Sequence, residues 1–511
     1  MRIPVVAQLD IKAFSGGSIT EIEAGITNGV VQMVGDTAYA TQRPGIDVFE
    51  DASAQGAGTK GRGIFYWSTN NTTYIINDGT LYKATQGSSL STSPTSGTNR
   101  CYWFPIGGVI IFIDPENDEA FSIATNDTVA AITDTDFPPN QTTPIGLADG
   151  GAYLNDALYV LGENGTIYGS DPADGTSWAA LNFINASRDP DGGVYLAKHH
   201  DSLLAFGFST IEVYYDAGNA TGSPLSRRQD VAYNIGCHSG QAVWEIGDRV
   251  FWVGVDAAGA FGVYAMEQFQ ISKVSTSSLD SFITQAILKE SYILYASGFS
   301  GAGHDYYLLT LATGDTRTTE TTLCYDATSG LWHPWETTVN GLSQLAVVQW
   351  TKRYGDESQF GQGILENGDL ISINDNLVPV DTLLGILYVE EGATVSENYV
   401  EDGYVQSTTA VGVNIAWSTR TGMFDGETNK HKTPESIRFV GNRTDTSQTL
   451  TIKWSDERND NFNTGRTMDT STGFKAHRLG RFQRRNHDLS MAGDEQFWLE
   501  AIELPLRVGN D

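Results

Sequence analysis

The feature that most restricts the fold of this chain is a hairpin plan repeated along it. A short strand rich in Val, Ile, Thr, Tyr and Trp is followed by an Asn-Gly, Asp-Gly or Gly-Gly turn and a second strand. Such turns need positive φ, which Gly, Asn and Asp adopt at least cost, and their twist matches that of the strands they join. Tyr74-Ile75-Ile76-Asn77-Asp78-Gly79-Thr80-Leu81-Tyr82 and Tyr159-Val160-Leu161-Gly162-Glu163-Asn164-Gly165-Thr166-Ile167-Tyr168 are two versions of this plan, the second with one inserted residue. Gly363-Ile364-Leu365-Glu366-Asn367-Gly368-Asp369-Leu370-Ile371 is a third. Helical spacing is confined to Ser278–Glu290, where Leu279, Phe282, Ile283, Ala286 and Ile287 recur on one face.

The hairpins recur with a period. Comparable strand centres at Tyr168, Tyr214, Tyr264 and Tyr307 are separated by 46, 50 and 43 residues, and a four-stranded propeller blade occupies about 40–50 residues. The reading is mainly β: an irregular β-propeller over residues 1–375, with a pair of β-sandwiches as the alternative the same strand lengths permit. From 376 the punctuation disappears. Thr408–Thr419, Ile437–Val440, Thr449–Trp454 and Phe497–Leu504 read as longer strands, so 376–511 is expected to form an additional β-sandwich-like module.

Charge divides the chain at nearly the same place. The whole chain of 511 residues carries 31 Lys and Arg against 62 Asp and Glu, a net of −31. Residues 1–429 hold 18 and 50 of these, a net of −32, and 430–511 hold 13 and 12, a net of +1. A body this acidic cannot embrace nucleic acid by neutralising phosphates, which takes clustered Lys and Arg. It is compatible with a surface that DNA slides past without sticking. The C-terminal step marks a surface with different neighbours.

Several chemistries find no support. Cys101, Cys237 and Cys324 are far apart, with no zinc or disulfide spacing. Gly56-Ala57-Gly58-Thr59-Lys60-Gly61 has the spacing of a dinucleotide loop, but it runs into Ile64-Phe65-Tyr66-Trp67, a strand where that chemistry needs a helix. The Asp-rich turns at 171–175, 189–192 and 456–460 lack the twelve-residue calcium loop and read as Asx turns. His199 and His200, as strand neighbours, are expected to face opposite sides, and His238 to be a packed histidine. No catalytic residue, cofactor or metal is expected. Met1-Arg2-Ile3-Pro4-Val5-Val6 does not resemble a signal peptide, so none is expected, and the longest apolar run, Gly107 to Ile113, is too short to cross a bilayer.

One basic cluster stands out against the acidic background: Arg478, Arg481, Arg484 and Arg485, flanked by His477 and His487. Three roles remain open for it: contact with an acidic neighbouring subunit, a solvated edge that discourages strand pairing, or contact with DNA phosphates. Arg227 and Arg228, after Pro224, form a smaller candidate docking site.

An ordered series in the middle of the chain carries a family resemblance. It runs Ser170-Asp171-Pro172 to Trp178, Asn182-Phe183, Arg188-Asp189-Pro190-Asp191, and Leu204-Ala205-Phe206-Gly207-Phe208-Ser209-Thr210-Ile211-Glu212-Val213-Tyr214-Tyr215. Pro224-Leu225-Ser226-Arg227, Asn234-Ile235-Gly236-Cys237, Val250-Phe251-Trp252-Val253-Gly254 and Ile271-Ser272-Lys273-Val274-Ser275-Thr276 follow. This resembles the packaged-DNA stabilisation proteins of short-tailed bacteriophages, which form the tail hub or nozzle. Arg43-Pro44-Gly45 and the stretch from Trp454 to Arg485 are weaker echoes; Lys273-Val274 departs from the usual Arg-Ile, and 376–430 matches little.

The resemblance implies a non-enzymatic virion tail subunit, made in the host cytoplasm and assembling as a homohexameric ring below portal and adaptor. The ring would continue the DNA channel, retain packaged DNA, and carry tail fibres, spikes or a needle, with phage DNA passing through the lumen without specific binding. Neither cofactor nor membrane insertion is implied. The rival from another class is a propeller that binds or hydrolyses polysaccharide, given 11 Trp and 22 Tyr. It predicts a pocket at the propeller axis with two carboxylates about 5–9.5 Å apart.

Overall fold

The computed structural model describes residues 2–15, 18–43, 45–50, 60–83, 89–90, 92–186, 191–256, 258–288, 292–301, 303–313, 318–336, 347–351, 362–365, 370–374, 400–402, 411–413, 416–426, 428, 430–445, 447–456, 462–472, 475–477, 479–492 and 497–508. The protein is mainly β, and among the described residues Ser277–Leu288 is its only α-helix. That helix starts one residue before the span read from the sequence, and Leu279, Phe282, Ile283 and Ala286 are its buried face.

Seven antiparallel sheets follow one another along the chain between 45 and 374. The first holds Gly61–Trp67, Thr72–Asn77 and Thr80–Lys83. Next come Tyr102–Ile106, Val109–Asp114, Glu119–Ala124 and Val129–Ala131, and then Ala152–Leu154, Ala157–Leu161, Thr166–Asp171 and Asp174–Asn185. Tyr195–His199, Ser202–Phe206, Ile211–Asp216 and Leu225–Tyr233 form the fourth, joined by Asp149–Gly150 in parallel. In the fifth, Trp244–Ile246, Arg249–Val255, Phe261–Glu267 and Gln270–Lys273 pair, with Gly236–Cys237. The sixth is Tyr292–Gly301, His304–Thr313, Thr318–Asp326 and Leu331–Pro334. Val347–Thr351, Gln362–Leu365 and Leu370–Asn374 open the seventh, Gly45–Glu50, which precedes the first sheet in the chain, pairs with Leu370–Asn374, and Val400–Asp402 and Val411–Val413 continue the sheet beyond it.

Turn chemistry sets the registers. Gly107 and Gly108 have φ 59 and 83, and Asn155 and Asp156 have φ 46 and 64. These are the two-residue hairpin loops that the right-handed twist of the strands requires. Apolar cores fill the spaces between consecutive sheets. Trp67, Tyr74 and Ile76 meet Trp103, Phe112 and Phe121 between the first and second, and Ile111 and Ile113 meet Leu158, Val160 and Trp178 between the next two. Phe206 and Val213 pack on Trp252 and Tyr264 between the fourth and fifth, and the helix joins the core between the fifth and sixth. Successive sheets touch through their opening strands, except that Tyr195–His199 meets Arg249–Val255 of the fifth sheet, and Val347–Thr351 contacts both Tyr292–Gly301 and Gly61–Trp67, so the order of contacts returns to its start.

A second body consists of two six-stranded sheets. Asp10–Ser15 and Ser18–Thr27 pair onward to Ala416–Arg420, Asn486–Ala492, Thr449–Ser455 and Arg466–Asp469. Gly29–Val34 and Thr37–Gln42 join Leu499–Glu503, Ile437–Gly441 and Lys475–Ala476, and Arg2–Pro4 pairs with Leu499–Glu503. Val5, Ile26 and Val31 are buried with Trp417, Phe439, Leu450, Leu489 and Ile502 between them. Sequence reading groups residues 1–42 with the hairpin-rich body; their strands pair with the C-terminal segment instead. The pairing spans over 400 residues, and nothing local to either strand announces it.

The two bodies are tied at the sixth sheet. Asn28 N–H donates to Pro334 O at 2.9 Å, Trp335 Nε1–H to Gly29 O at 3.3 Å, and the Arg43 guanidinium to Glu336 O at 2.6 Å. The repeat read from tyrosines also shifts at this sheet. Tyr168, Tyr214 and Tyr264 occupy third strands, whereas Tyr307 is on the second strand of the sixth, and Tyr325 is the third-strand residue. Strands of nine and ten residues lengthen this sheet and break the spacing.

Candidate functional site

Buried polar side chains join several of these sheets around Arg100. Arg100, 1% exposed, reaches across from the second sheet to the fifth and sixth. Its guanidinium donates to Ala296 O at 2.5 Å, Val243 O at 3.1 Å, Gln241 O at 3.2 Å and the Tyr102 hydroxyl at 3.3 Å. Tyr102 and Trp244 lie against its faces, each with the ring centre 5.1 Å away. Gln241 continues the knot: its carbonyl accepts the Arg100 N–H at 2.9 Å and its amide donates to Asp149 at 2.6 Å. Deep burial opposes the charge on Arg100, but the surrounding Tyr102, Tyr195 and Asp149 hold its pKa above the usual value.

Beside this plug lies a cavity of about 360 Å³. Its lining comes from the opening strands of five successive sheets: Phe65, Phe104, Tyr153, Lys198 and Glu245. Phe65 stacks on Trp103 at 5.9 Å, and Phe104 lies over Gly151, where a Cβ would sit 2.7 Å from the ring. Glu245 lines this open cavity, accessible to solvent yet with protein around it. Burial lifts its pKa to about 7, against the pull of the Lys198 backbone N–H, the Lys198 ammonium and Arg100. Sequence reading did not single out these five positions. The signal was present, because their separations of 39, 49, 45 and 47 residues follow the hairpin period.

The pit holds one carboxylate and one ammonium, not the two carboxylates that glycoside hydrolysis needs. An adjoining cavity of about 290 Å³ is lined by Lys198, His199, His200, Glu245, Asp248 and Arg249. The two histidines do not face opposite sides. His200 leaves the strand at φ 52, and the rings meet at 4.4 Å. Burial and the neighbouring imidazole lower the His199 pKa. His238 packs edge-on against Phe261 at 5.1 Å, with its pKa lowered by burial. All three cysteines are buried, and burial pushes the Cys237 thiol well up, so it is an inert core group.

The predicted arginines separate into distinct environments. Arg227 and Arg228 lie on Leu225–Tyr233, the outer strand of the fourth sheet, and line a groove of about 1020 Å³ with Asn155, Asp201, Tyr215, Asp216 and Asp230. Arg227 pairs with Glu212 at 3.1 Å, while Arg228 pairs with Asp230 at 3.6 Å and lies over Phe269 at 5.0 Å. Arg481 and Arg484 are exposed on the second body. Arg485 is not a surface residue. It is 1% exposed, clamps Asp456 with bonds of 2.6 and 3.0 Å, donates to Leu479 O at 2.6 Å, and sits between Phe482 and Trp454. A guanidinium so enclosed cannot dock a partner; it fixes the loop. Arg478 lies outside the described residues. Among the described residues no cluster of His, Cys, Asp and Glu has the arrangement of a metal site, and no helix is long and apolar enough to cross a membrane.

Residues 26–356 match the family described as Bacteriophage P22 Gp10, beta-propeller. No curated protein matches the chain. Among solved structures, BamB from Moraxella catarrhalis is similar at 12% identity and a TM-score of 0.33, over 68% of this chain and 93% of that one. The extracellular domain of a hybrid two-component system from B. thetaiotaomicron is similar at 11% identity and a TM-score of 0.38, over 64% and 40%. Likenesses this low carry no inference about fold or function.

Proposed function

The chain belongs to the phage family described as Bacteriophage P22 Gp10, beta-propeller, and from that premise we propose that it is the subunit of a tail nozzle. Membership makes it a structural phage tail protein of the DNA-stabilisation class and not an enzyme. The observation that carries the finer reading is that the family match, 26–356, nearly coincides with the seven sheets whose contacts return to their start. We read these sheets as the blades of an irregular propeller closed by Gly45–Glu50, and the two-sheet body of 2–42 and 416–508 as a sandwich-like platform.

The bore for DNA runs between copies rather than through one. Arg100, Tyr102, Gln241 and Asp149 are hydrogen-bonded together where the sheets of one copy meet, which favours a channel formed between copies. A ring, by analogy a homohexamer, supplies the channel below portal and adaptor, and fibres, spikes or a needle dock on its outer faces. Closing a ring takes a heterologous contact, one patch against a different patch on the neighbour. Arg227 and Arg228 on the acidic propeller and Arg481 and Arg484 on the near-neutral platform are the basic groups placed to make such contacts. Native mass measurement of the assembled tail tests this: the expected result is six copies in one closed ring, and a monomer within assembled tails refutes it.

A further inference from the structure

The pit beside the propeller centre combines three features that the nozzle reading does not use. Phe65, Phe104 and Tyr153 give it an aromatic wall on one half. On the other half stand the Lys198 ammonium and the Glu245 carboxylate, and among the described residues no ion pair joins them or takes either elsewhere. The volume, about 360 Å³, lies within the range of small-ligand sites.

The polar inventory selects the occupant. Tyr153 donates its hydroxyl to Asp156 at 2.8 Å, and the Tyr102 hydroxyl already receives Arg100 and Gln241. The charged groups left to bind a guest are therefore one cation and one anion, with the Tyr195 hydroxyl also in the lining. A sugar ring would bury several hydroxyls without partners, each costing about 1–3 kcal/mol. A peptide terminus matches the pattern better, since it presents one carboxylate, one backbone N–H and one side chain.

We propose that this pit captures the C-terminal residue of a partner polypeptide, its carboxylate on Lys198, its last N–H on Glu245, and an apolar side chain among Phe65, Phe104 and Tyr153. The Glu245 carboxylate already receives the Lys198 backbone N–H and retains capacity for a second donor. Binding in the pit needs only one copy of the chain, so it is separable from ring assembly.

Calorimetric titration of the full-length protein with N-acetyl-Ala-Phe and with its C-terminal amide tests the assignment. The free acid is expected to bind saturably and the amide at least about tenfold more weakly, the size of one charge-assisted hydrogen bond. Lys198→Met is expected to remove the difference between the two probes, and Tyr153→Ala to weaken both. Lys198 is exposed, so its variant keeps the fold and decides the matter if Tyr153→Ala does not. No saturable binding of the acid at millimolar concentration overturns the proposal. Equal binding of acid and amide overturns it too, as does a preference for glucuronate, which would make the pit a sugar site. None of these outcomes bears on the nozzle reading.

Discussion

Replacing Arg100 with Met tests whether the propeller is held at its centre. The substitution keeps much of the aliphatic stem and deletes a guanidinium that donates to Ala296 O, Gln241 O and Val243 O. Each buried carbonyl left unsatisfied costs about 1–3 kcal/mol, so three give about 3–9 kcal/mol. Relief from burying a charge offsets part of this, and breaking buried charged networks typically costs about 3–5 kcal/mol. We expect a loss in that lower range. Because Ala296 is on the sixth sheet and Gln241 and Val243 lie in the turn that leads into the fifth, the loss should be local to these segments. Hydrogen exchange should then accelerate at least about a hundredfold at 240–246 and 294–299, the equivalent of about 3 kcal/mol. Arg249→Met serves as control: its pair with Glu267 at 3.2 Å has side chains 32% and 54% exposed and is worth at most about 1 kcal/mol. Unchanged exchange in Arg100→Met, or an effect no larger than the control's, would refute a central staple.

Four further outcomes are expected. Arg485→Met should lower the melting temperature well beyond Arg484→Met, because Arg485 is enclosed and clamps Asp456 while Arg484 is exposed; equal shifts would place Arg485 outside the core. Gly107→Ala should destabilise more than Gly108→Ala, since both have positive φ, costing about 1–2 kcal/mol, but only at Gly107 would the Cβ meet Ala173 O, at 2.0 Å. Burial lowers the pKa of His333 to about 4 and of His487 to about 3, so both stay neutral in the fold while the unfolded chain takes up protons below about pH 6.5. Stability should therefore fall as pH drops from 6.5, by about 2 kcal/mol per histidine at pH 5, and His487→Asn should flatten that slope in melting curves. Arg228→Glu should leave the melting temperature nearly unchanged yet reduce recovery of rings on native mass measurement; rings at wild-type yield would remove Arg228 from the contact.

What the sequence disclosed was whatever is local. The hairpins at 74–82 and 159–168 were readable because residues of the turn itself, Asp78 at φ 48 in one and Gly165 at φ 78 in the other, set the bend without help from the rest of the chain. The buried arginines were not readable, because an Arg bound for the core looks like one bound for water. Arg62 shows why: it meets Asp114 at 2.5 Å, with both side chains fully buried, and takes Asn99 O and Thr95 O as well. None of these partners is adjacent in the chain. Arg485 was misread for the same reason, since its neighbours in sequence are exposed arginines. The site in the propeller centre was half legible. Its residues obey the period, but only the pairing order shows that those positions are the opening strands and face the centre.

The strand pairing also relocates the charge. With residues 1–43 grouped with 416–511, the platform carries 17 Lys and Arg against 18 Asp and Glu, a net of −1. Residues 44–375 carry 14 against 38, a net of −24. Six propellers pressed side by side would repel one another through such charge, so assembly is favoured where each propeller meets a platform rather than another propeller. In the proposed ring this would put the platforms at the contacts and leave propeller surface for the lumen. In that arrangement the same negativity that works against propeller–propeller contact would keep DNA phosphates off the wall. The proposed bore between copies would accommodate both the bonded knot around Arg100 and an acid surface that neutralises no phosphate.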